Sequence, residues 1–403
     1  MDEIKYWVWL SRVFAYGSEK PRKLLEVFHS PRAVLEASEE DLKKLSFLKE
    51  SDRRAIIHTS LERADKILSD CDRLGIHIIC YGSPEYPHRL ADIYAPPMVL
   101  YVKGEIQGID EEAGITVVGT RRASDYGKRL TGNLCYELSR AGALIISGCA
   151  EGIDTYAHWG ALKAGGRTIA VLGCGLDVDY PASNRELKLA ILRKGALVSE
   201  CPPGEYPTRS IFPVRNRLMS ALGVGVLVTE APMKSGSLIT AEHAIEQGKD
   251  LFCVPPHDIY DVNFGGVARY LRDGAIPVFS AKDVLDEYFM LYPHKLNAEY
   301  QFAQQVKRNK TLPVYHQRQT AVKKETEPQK VLEQKQKAWD PTLSKAHRNM
   351  FDAMTSQPES LDEIAARAGL SAAQAAAIAT ELELLEYISS YSGKRYAKHV
   401  ITE

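Results

Sequence analysis

Apolar positions in the first 105 residues or so recur with a helical period. Trp7, Leu10, Val13 and Phe14 share one face. Leu24, Leu25, Val27 and Phe28 form a second group, and Val34 and Leu35 open a third. Ser38 followed by Asp41 in SEEDLKKL predicts an N-cap with acids in the first helical turn. From Gly82 to Gly104 prolines punctuate the chain, and an extended connector is expected. From Gly114 to about Tyr288 the pattern changes. Short apolar runs at Ile115–Val118, Ala143–Ile146, Thr168–Leu172, Ala196–Val198, Val224–Val228, Leu251–Val254 and Ile276–Phe279 alternate with helical stretches such as Tyr126–Ala141 and Leu238–Gln247. Near-continuous apolar strands between helices predict an α/β domain, with a parallel sheet covered on both faces. Ligands of such sheets bind beyond the carboxyl ends of the strands.

Residues 293–339 lose all apolar period and are rich in Lys, Gln and Glu, as in KKETEPQKVLEQKQK, which predicts a linker. The pattern then turns compact again. Ser344–Thr355 reads as a helix. Ser360-Leu361-Asp362-Glu363 is a capping-box variant opening a second, with Gly369 ending it. Ser371 starts a third, and Tyr387–Tyr396 fits a hairpin around Ser392-Gly393. Three helices and a hairpin make a winged-helix pattern. The expected division is a helical domain at 1–80, the α/β domain at 81–292, the linker at 293–339 and the winged helix at 340–403.

Length and composition agree with several globular domains: 403 residues, 45% apolar and 26% charged. The formal net charge is −1, so any anion-binding surface is a local patch. The seven cysteines form no C-x-x-C pair and mostly sit in apolar runs, which predicts reduced, buried thiols in a cytosolic protein and no metal site. The acidic start MDEIKYWVWL lacks the apolar core of a signal peptide, and no run of about 18 apolar residues suggests a membrane span.

Each strand of the central region ends in a small or polar cluster. These are Gly119-Thr120-Arg121-Arg122, then Ser147-Gly148-Cys149-Ala150, then Gly173-Cys174-Gly175, and later Thr229-Glu230 followed by Ser235-Gly236-Ser237 and Thr240. Small residues let a ligand approach the backbone, and the helix that follows offers unpaired amides and a positive dipole end. Together they suit phosphate. G-x-G-x-x-G is missing from the first strand–helix turn, and no P-loop motif exists, which disfavours a standard dinucleotide enzyme and a P-loop NTPase. Arg121 and Arg122 follow the first strand, and Arg215 and Arg217 flank Asn216. Arginine's planar fork matches phosphate, although one of each pair is also suited to a structural role on carbonyls or an acid. Tyr180, Tyr206 and Phe212 lie in nearby loops, as stacking surfaces or packing anchors. Asp154 and His158, four apart, have no nucleophile or orienting partner and are read as structural, Asp154 capping a helix and bonding backbone.

VVGTRRASDYG, SGCAEGIDTYAHWGAL, GGRTIAVLGCGLDVDYPASNREL, SECPPG, FPVRNRLMSAL and VTEAPMKSGSLITAEHAIEQGKDLFCVP resemble, in order and spacing, the core motifs of the DprA/Smf family (DNA-processing protein A). The resemblance covers nearly all of residues 96–288. It implies a Rossmann-like domain preceded by a helical domain of the sterile-alpha-motif or helix-hairpin-helix kind and followed by a winged helix. It further implies a protein without catalytic activity or cofactor that binds single-stranded DNA, is usually a homodimer through the Rossmann-like domain, protects incoming strands in natural transformation and loads a RecA-type recombinase. The implied DNA contacts are Gly119, Arg121, Arg122, Gly148, Arg215, Asn216, Arg217, Ser235, Gly236, Ser237 and Thr240.

The sequence departs from the family at Pro255-Pro256-His257, where Pro-Gly is common, and at Gly266-Val267-Ala268, where two polar side chains are lost. The third helix of the winged segment, SAAQAAAIATELELLE, has no Lys or Arg, so it is expected to bind protein or simply pack rather than read a duplex. The rival reading is a nucleotide-binding or nucleotide-hydrolysing enzyme like LOG and the lysine-decarboxylase-like proteins. Their G-G-x-G-T-x-x-E spacing fails here, because Glu242 stands five residues after Ser237. A third reading is a scaffold with a vestigial pocket.

Overall fold

The computed structural model describes residues 3–297, 299–300, 337–339, 343–385, 387–391, 395–398 and 401–402. Most of the expected linker, 301–336, lies outside the described residues. The chain divides into two compact units, 1–313 and 314–403.

In the first unit six helices open the chain: α1 (Ile4–Val13), α2 (Lys20–Phe28), α3 (Pro31–Leu35), α4 (Glu39–Lys43), α5 (Glu50–His58) and α6 (Glu62–Leu74). Ser38 caps α4 by accepting from the Asp41 amide at 3.1 Å, as its sequence predicts. The helices bury Trp9, Leu10, Leu24 and Ile56, and the Trp9 indole donates to the Thr59 carbonyl at 2.8 Å.

The sheet follows. Its strands are β1 (His77–Cys80), β2 (Val99–Gly104), β3 (Gly114–Val118), β4 (Leu144–Ser147), β5 (Thr168–Leu172), β6 (Ala196–Ser199), β7 (Gly225–Val228), β8 (Asp250–Cys253) and β9 (Ile276–Pro277). The connecting helices are α7 (His88–Ala91), α8 (Asp125–Arg140), α9 (Ile153–Lys163), α10 (Arg185–Ile191), α11 (Ile211–Leu222), α12 (Leu238–Glu246), α13 (Gly265–Arg272) and α14 (Ala281–Leu285). Strand order is β1-β2-β6-β5-β4-β3-β7-β8-β9. The seven strands from β6 to β9 in that order are parallel, and β1 and β2 add an antiparallel edge.

One face of the sheet packs against α11 and α12 through Leu218, Met219, Leu222, Leu238 and Ala241. The other packs against α8 and α9 through Leu134, Leu138, Ala157 and Ala161. Ala170, Leu172 and Leu197 on the sheet share a further core with Val8, Trp9 and Leu10 of α1. A parallel sheet covered on both faces is thus present as expected. The expected connector at 82–104 is corrected, because its end is strand β2. Val99, Leu100, Tyr101 and Val102 are buried on both sides, so they show no alternation, and the upstream prolines hide them. Residue 80 is the last of β1, which pairs antiparallel with β2, so a boundary there falls between two paired strands. At the other end of this domain Leu296 is buried and the Asn297 amide donates to the Ala141 carbonyl at 2.8 Å, so the chain is still docked where the linker was expected to begin.

The second unit contains α15 (Lys345–Ala353), α16 (Leu361–Ala368) and α17 (Ala372–Leu384). A three-stranded sheet in the order β11 (Glu359–Ser360), β13 (Arg395–Lys398), β12 (Ile388–Tyr391) completes a winged helix, while β10 (Lys337–Ala338) pairs with β14 (Ile401–Thr402). Met350, Phe351, Ile364, Ile378, Leu382 and Tyr387 form its core. The Ser360–Glu363 capping box and the left-handed Gly369 stand where the sequence places them.

Candidate nucleic-acid interface

Chain progression reverses at β3. The chain moves from β3 outward through β4, β5 and β6, then returns to pair β7 on the other flank. The loops leaving β3 and β7 therefore diverge and leave a crevice at the carboxyl edge, where ligands of such sheets bind. A cleft of about 470 Å³ opens there. Of the eleven residues expected from sequence, Gly119, Arg121, Arg122, Arg215, Asn216, Ser235, Gly236, Ser237 and Thr240 line it. Gly148 lines an adjoining hollow with Arg121, Tyr180 and Phe212. Arg217 lines neither.

The loops are held from behind. Glu230, fully buried at the end of β7, accepts from the Ser124 amide at 3.0 Å and from its hydroxyl at 2.7 Å, and its own carbonyl accepts from the Thr120 amide at 2.7 Å. Gly127 is needed because a Cβ there would strike the Glu230 carboxylate. This corrects one expectation: the amino end of α8 is occupied by the protein's own carboxylate and is not an open anion site. The loop after β4 is similar. Asp154 accepts from the amides of Gly148 (3.1 Å) and Ala150 (3.3 Å), and burial raises its pKa against the pull of Arg215. Asn184 donates to the carbonyls of Cys149 and Ala150 from the far side. His158 is buried with Nδ1 at 2.7 Å from the Thr168 hydroxyl, and burial lowers its pKa to about 3. Asp154 and His158 thus fix local structure.

The two arginine pairs differ. Arg121 and Arg122 are exposed and carry no ion pair among the described residues. The Arg121 guanidinium lies 4.9 Å from the Phe212 ring centre. Arg215 is buried: it donates to the carbonyls of Gly148 and Val171, and its Nε donates to Asn216 Oδ1 at 3.3 Å. Gly148 is small to admit that guanidinium, since a Cβ there would come within 2.6 Å of Arg215 Nη1. Burial pulls the Arg215 pKa down. Arg217 points elsewhere, with Nη2 at 2.9 Å from both oxygens of Glu200. Its placement in the cleft is therefore corrected. A residue two positions from Arg215 on a helix turns by about 200° and faces away.

The loop before α12 closes the other side. Asn216 Nδ2 donates to the Gly236 carbonyl at 3.2 Å, and the hydroxyls of Ser235 and Ser237 are 2.8 Å apart. Gly236 faces open space. Thr240 lines the cleft, yet its buried hydroxyl has no partner. Lys234 also lines the cleft and is exposed. Sequence reading passed it over, although it stands next to Ser235 in the run already singled out. Phe212 stands between Arg121 and Tyr180, whose ring centre is 5.8 Å away. Tyr206 lines neither cavity. Glu242 is exposed on α12 and lies outside the cleft. Val267 is buried core and Ala268 does not line the cleft. His257 packs against Tyr126 and Phe264.

A family model described as DNA recombination-mediator protein A matches residues 77–289, and one described as the DprA winged helix domain matches residues 334–394. The DNA processing protein DprA of Bacillus subtilis is 40% identical over 222 residues, 55% of this chain and 74% of that protein. Protein Smf of Synechocystis is 35% identical over 326 residues, 78% of each chain. The X-ray structure of DprA from Streptococcus pneumoniae superposes with a TM-score of 0.62 at 32% identity, covering 71% of this chain and 98% of that one.

Proposed function

The chain belongs to the DprA/Smf family of DNA processing proteins, and on that premise we propose that it binds single-stranded DNA in the cleft between the β3 and β7 loops. The observation that carries this reading is that Arg121, Arg122 and Lys234, exposed and without ion pairs among the described residues, line one cleft with Thr240, whose buried hydroxyl has no partner. Exposed arginine forks and a lysine suit a row of phosphates. Buried hydroxyls normally find a partner, so Thr240 fits a phosphate or sugar oxygen. The Phe212 ring beside Arg121 offers a stacking surface that is indifferent to base identity. Asp154 and His158, the acid–base pair nearest the cleft, are both engaged by the protein itself, which favours binding over chemistry there.

Family membership supports a wider role as part of the same proposal. The protein protects incoming single strands during transformation, acts in the cytoplasm as a homodimer through the Rossmann-like domain, and delivers the strand to a RecA-type recombinase. Ile259, Tyr260 and Val262, about 80% exposed between β8 and α13, support an apolar contact on this domain. No helix among the described residues is long and apolar enough to cross a membrane.

The test is fluorescence anisotropy with labelled poly-dT and a matched duplex across a salt series. Tight, salt-sensitive binding to the single strand by wild type, lost in Arg121→Glu/Arg122→Glu, is expected. Unchanged affinity in that variant, or preference for the duplex, would overturn the cleft assignment.

A further inference from the structure

Of the loop aromatics Tyr180, Tyr206 and Phe212, only Tyr206 lines neither the cleft nor the adjoining hollow. It is 76% exposed, so it anchors no packing. Its loop leaves the carboxyl end of β6, which runs parallel to β5, β4 and β3 and so opens onto the same edge of the sheet as the cleft. β6 is the third strand out from β3, about 14 Å along that edge. The hollow, of about 160 Å³, bridges the interval: Arg121 comes from the loop after β3, Gly148 from the loop after β4, and Gly173 and Tyr180 from the loop after β5. Beyond Tyr206 the chain returns to Phe212, which lines both cavities.

The residue before Tyr206 is firmly held. Glu205 accepts from the Tyr16 hydroxyl at 2.6 Å through Oε1 and pairs with Arg12 Nη2 at 2.9 Å through Oε2. Arg12 in turn donates to the Tyr16 hydroxyl. The Glu205 carbonyl accepts from the Gly175 amide at 2.8 Å, and the Gly204 amide donates to Asp177 Oδ1 at 2.8 Å. The turn between α1 and α2 also packs on the first turn of α11, since a Cβ on Gly17 would stand 3.1 Å from Val214 Cγ1. The opening helices thus grip the β6–α11 segment on both sides of Phe212. Arg12 also neutralises Glu205, so that carboxylate does not repel a polyanion. A ring on a fixed stem loses little freedom when a base covers it, and every base offers a face to stack. We propose that the bound single strand runs from the cleft over the hollow and stacks a base on Tyr206, and that Arg12 and Tyr16 position this ring through Glu205. The inference rests on the cleft reading and extends the site along the sheet edge to a ring that the opening helices hold.

The test is anisotropy of the full chain with labelled dT20 across a salt series, with thermal melting as the control. Tyr206→Ala is expected to weaken binding about tenfold, the worth of one stacked base, with melting unchanged. The slope of log affinity against log salt should stay at its wild-type value, because a ring neutralises no phosphate. Tyr206→Phe should recover most of what Ala loses. Glu205→Gln should weaken binding severalfold and add nothing once Tyr206 is Ala, as expected of a residue that acts through the ring. A wild type that binds no single strand would overturn the cleft reading and this inference together. Binding that depends on Arg121 and Arg122 but ignores Tyr206→Ala would overturn this inference alone. So would a Phe variant as weak as Ala, or a changed salt slope in Tyr206→Ala. Additive losses in the double variant would remove Glu205 from the positioning role. If Glu205→Gln melts early, the two Tyr206 variants decide.

Discussion

The loop after β3 and the helix α11 each carry a pair of arginines, and they use them in opposite ways. Arg121 and Arg122 stand in water with their donors free. Arg215 spends its donors on the carbonyls of Gly148 and Val171, and Arg217 spends Nη2 on Glu200. A guanidinium that leaves water needs a carbonyl or carboxylate partner, because its desolvation is costly. It becomes part of the frame. An exposed guanidinium keeps its pairing capacity for a ligand. Residue type is the same in both places, and burial separates the roles.

The contrast breaks most visibly at Arg215. Arg215→Ala should lower unfolding stability by about 3 kcal/mol, since it leaves buried carbonyls unpaired and Asp154 without its positive neighbour. Urea unfolding measures this, and a loss under about 1 kcal/mol would show that the buried arginine is not part of the frame. Arg121→Glu/Arg122→Glu should do the reverse, with melting unchanged and affinity for poly-dT down about 100-fold at low salt, in line with the several-kcal effect of reversing two phosphate contacts. The milder Arg122→Gln should reduce the slope of log affinity against log salt by about 0.7 if it contacts one phosphate. A slope equal to wild type would place Arg122 off the strand.

Thr240→Val sharpens the comparison on the opposite wall. It removes a hydroxyl that the protein itself leaves unpaired, so stability should stay within about 0.5 kcal/mol while strand affinity falls about threefold to tenfold, the worth of one hydrogen bond. Equal affinity would mean that the hydroxyl never meets the DNA. The smallest effect near pH 7 belongs to His158. Its folded pKa, about 3, lies below the ordinary value near 6.5, so the unfolded chain binds the extra proton first. Stability from this group is complete above pH 6.5 and is lost as pH falls from there toward 3. His158→Gln should flatten the acid side of the stability–pH curve, and an unaltered curve would mean that His158 protonates freely in the fold.

Much of this architecture was legible in the chain. All seven parallel strands appear as apolar runs, and β3 to β7 are buried along their whole length, so few polar positions interrupt them. Ser38, Ser360 and Gly369 act where their side chains or φ preferences put them, since capping is a matter of a few adjacent residues. Strand β2 was missed because prolines upstream of it signal a connector and its partners, β1 and β6, lie elsewhere in the sequence. The β3 and β7 clusters were recognised as a rim by their small and polar residues, and the fold brings them to one crevice.

Sequence by itself thus determined the chain order of the seven parallel strands, the family and the residues near the strand ends, all of which depend on local pattern. Tertiary structure decided which of those residues keep their bonding capacity. Glu230 reaches the amino end of α8 from 106 residues away, Arg215 reaches Gly148 across 67, and Glu200 draws Arg217 out of the cleft. No local pattern records such pairings, because hydrogen bonds and desolvation act between atoms that only the fold makes neighbours.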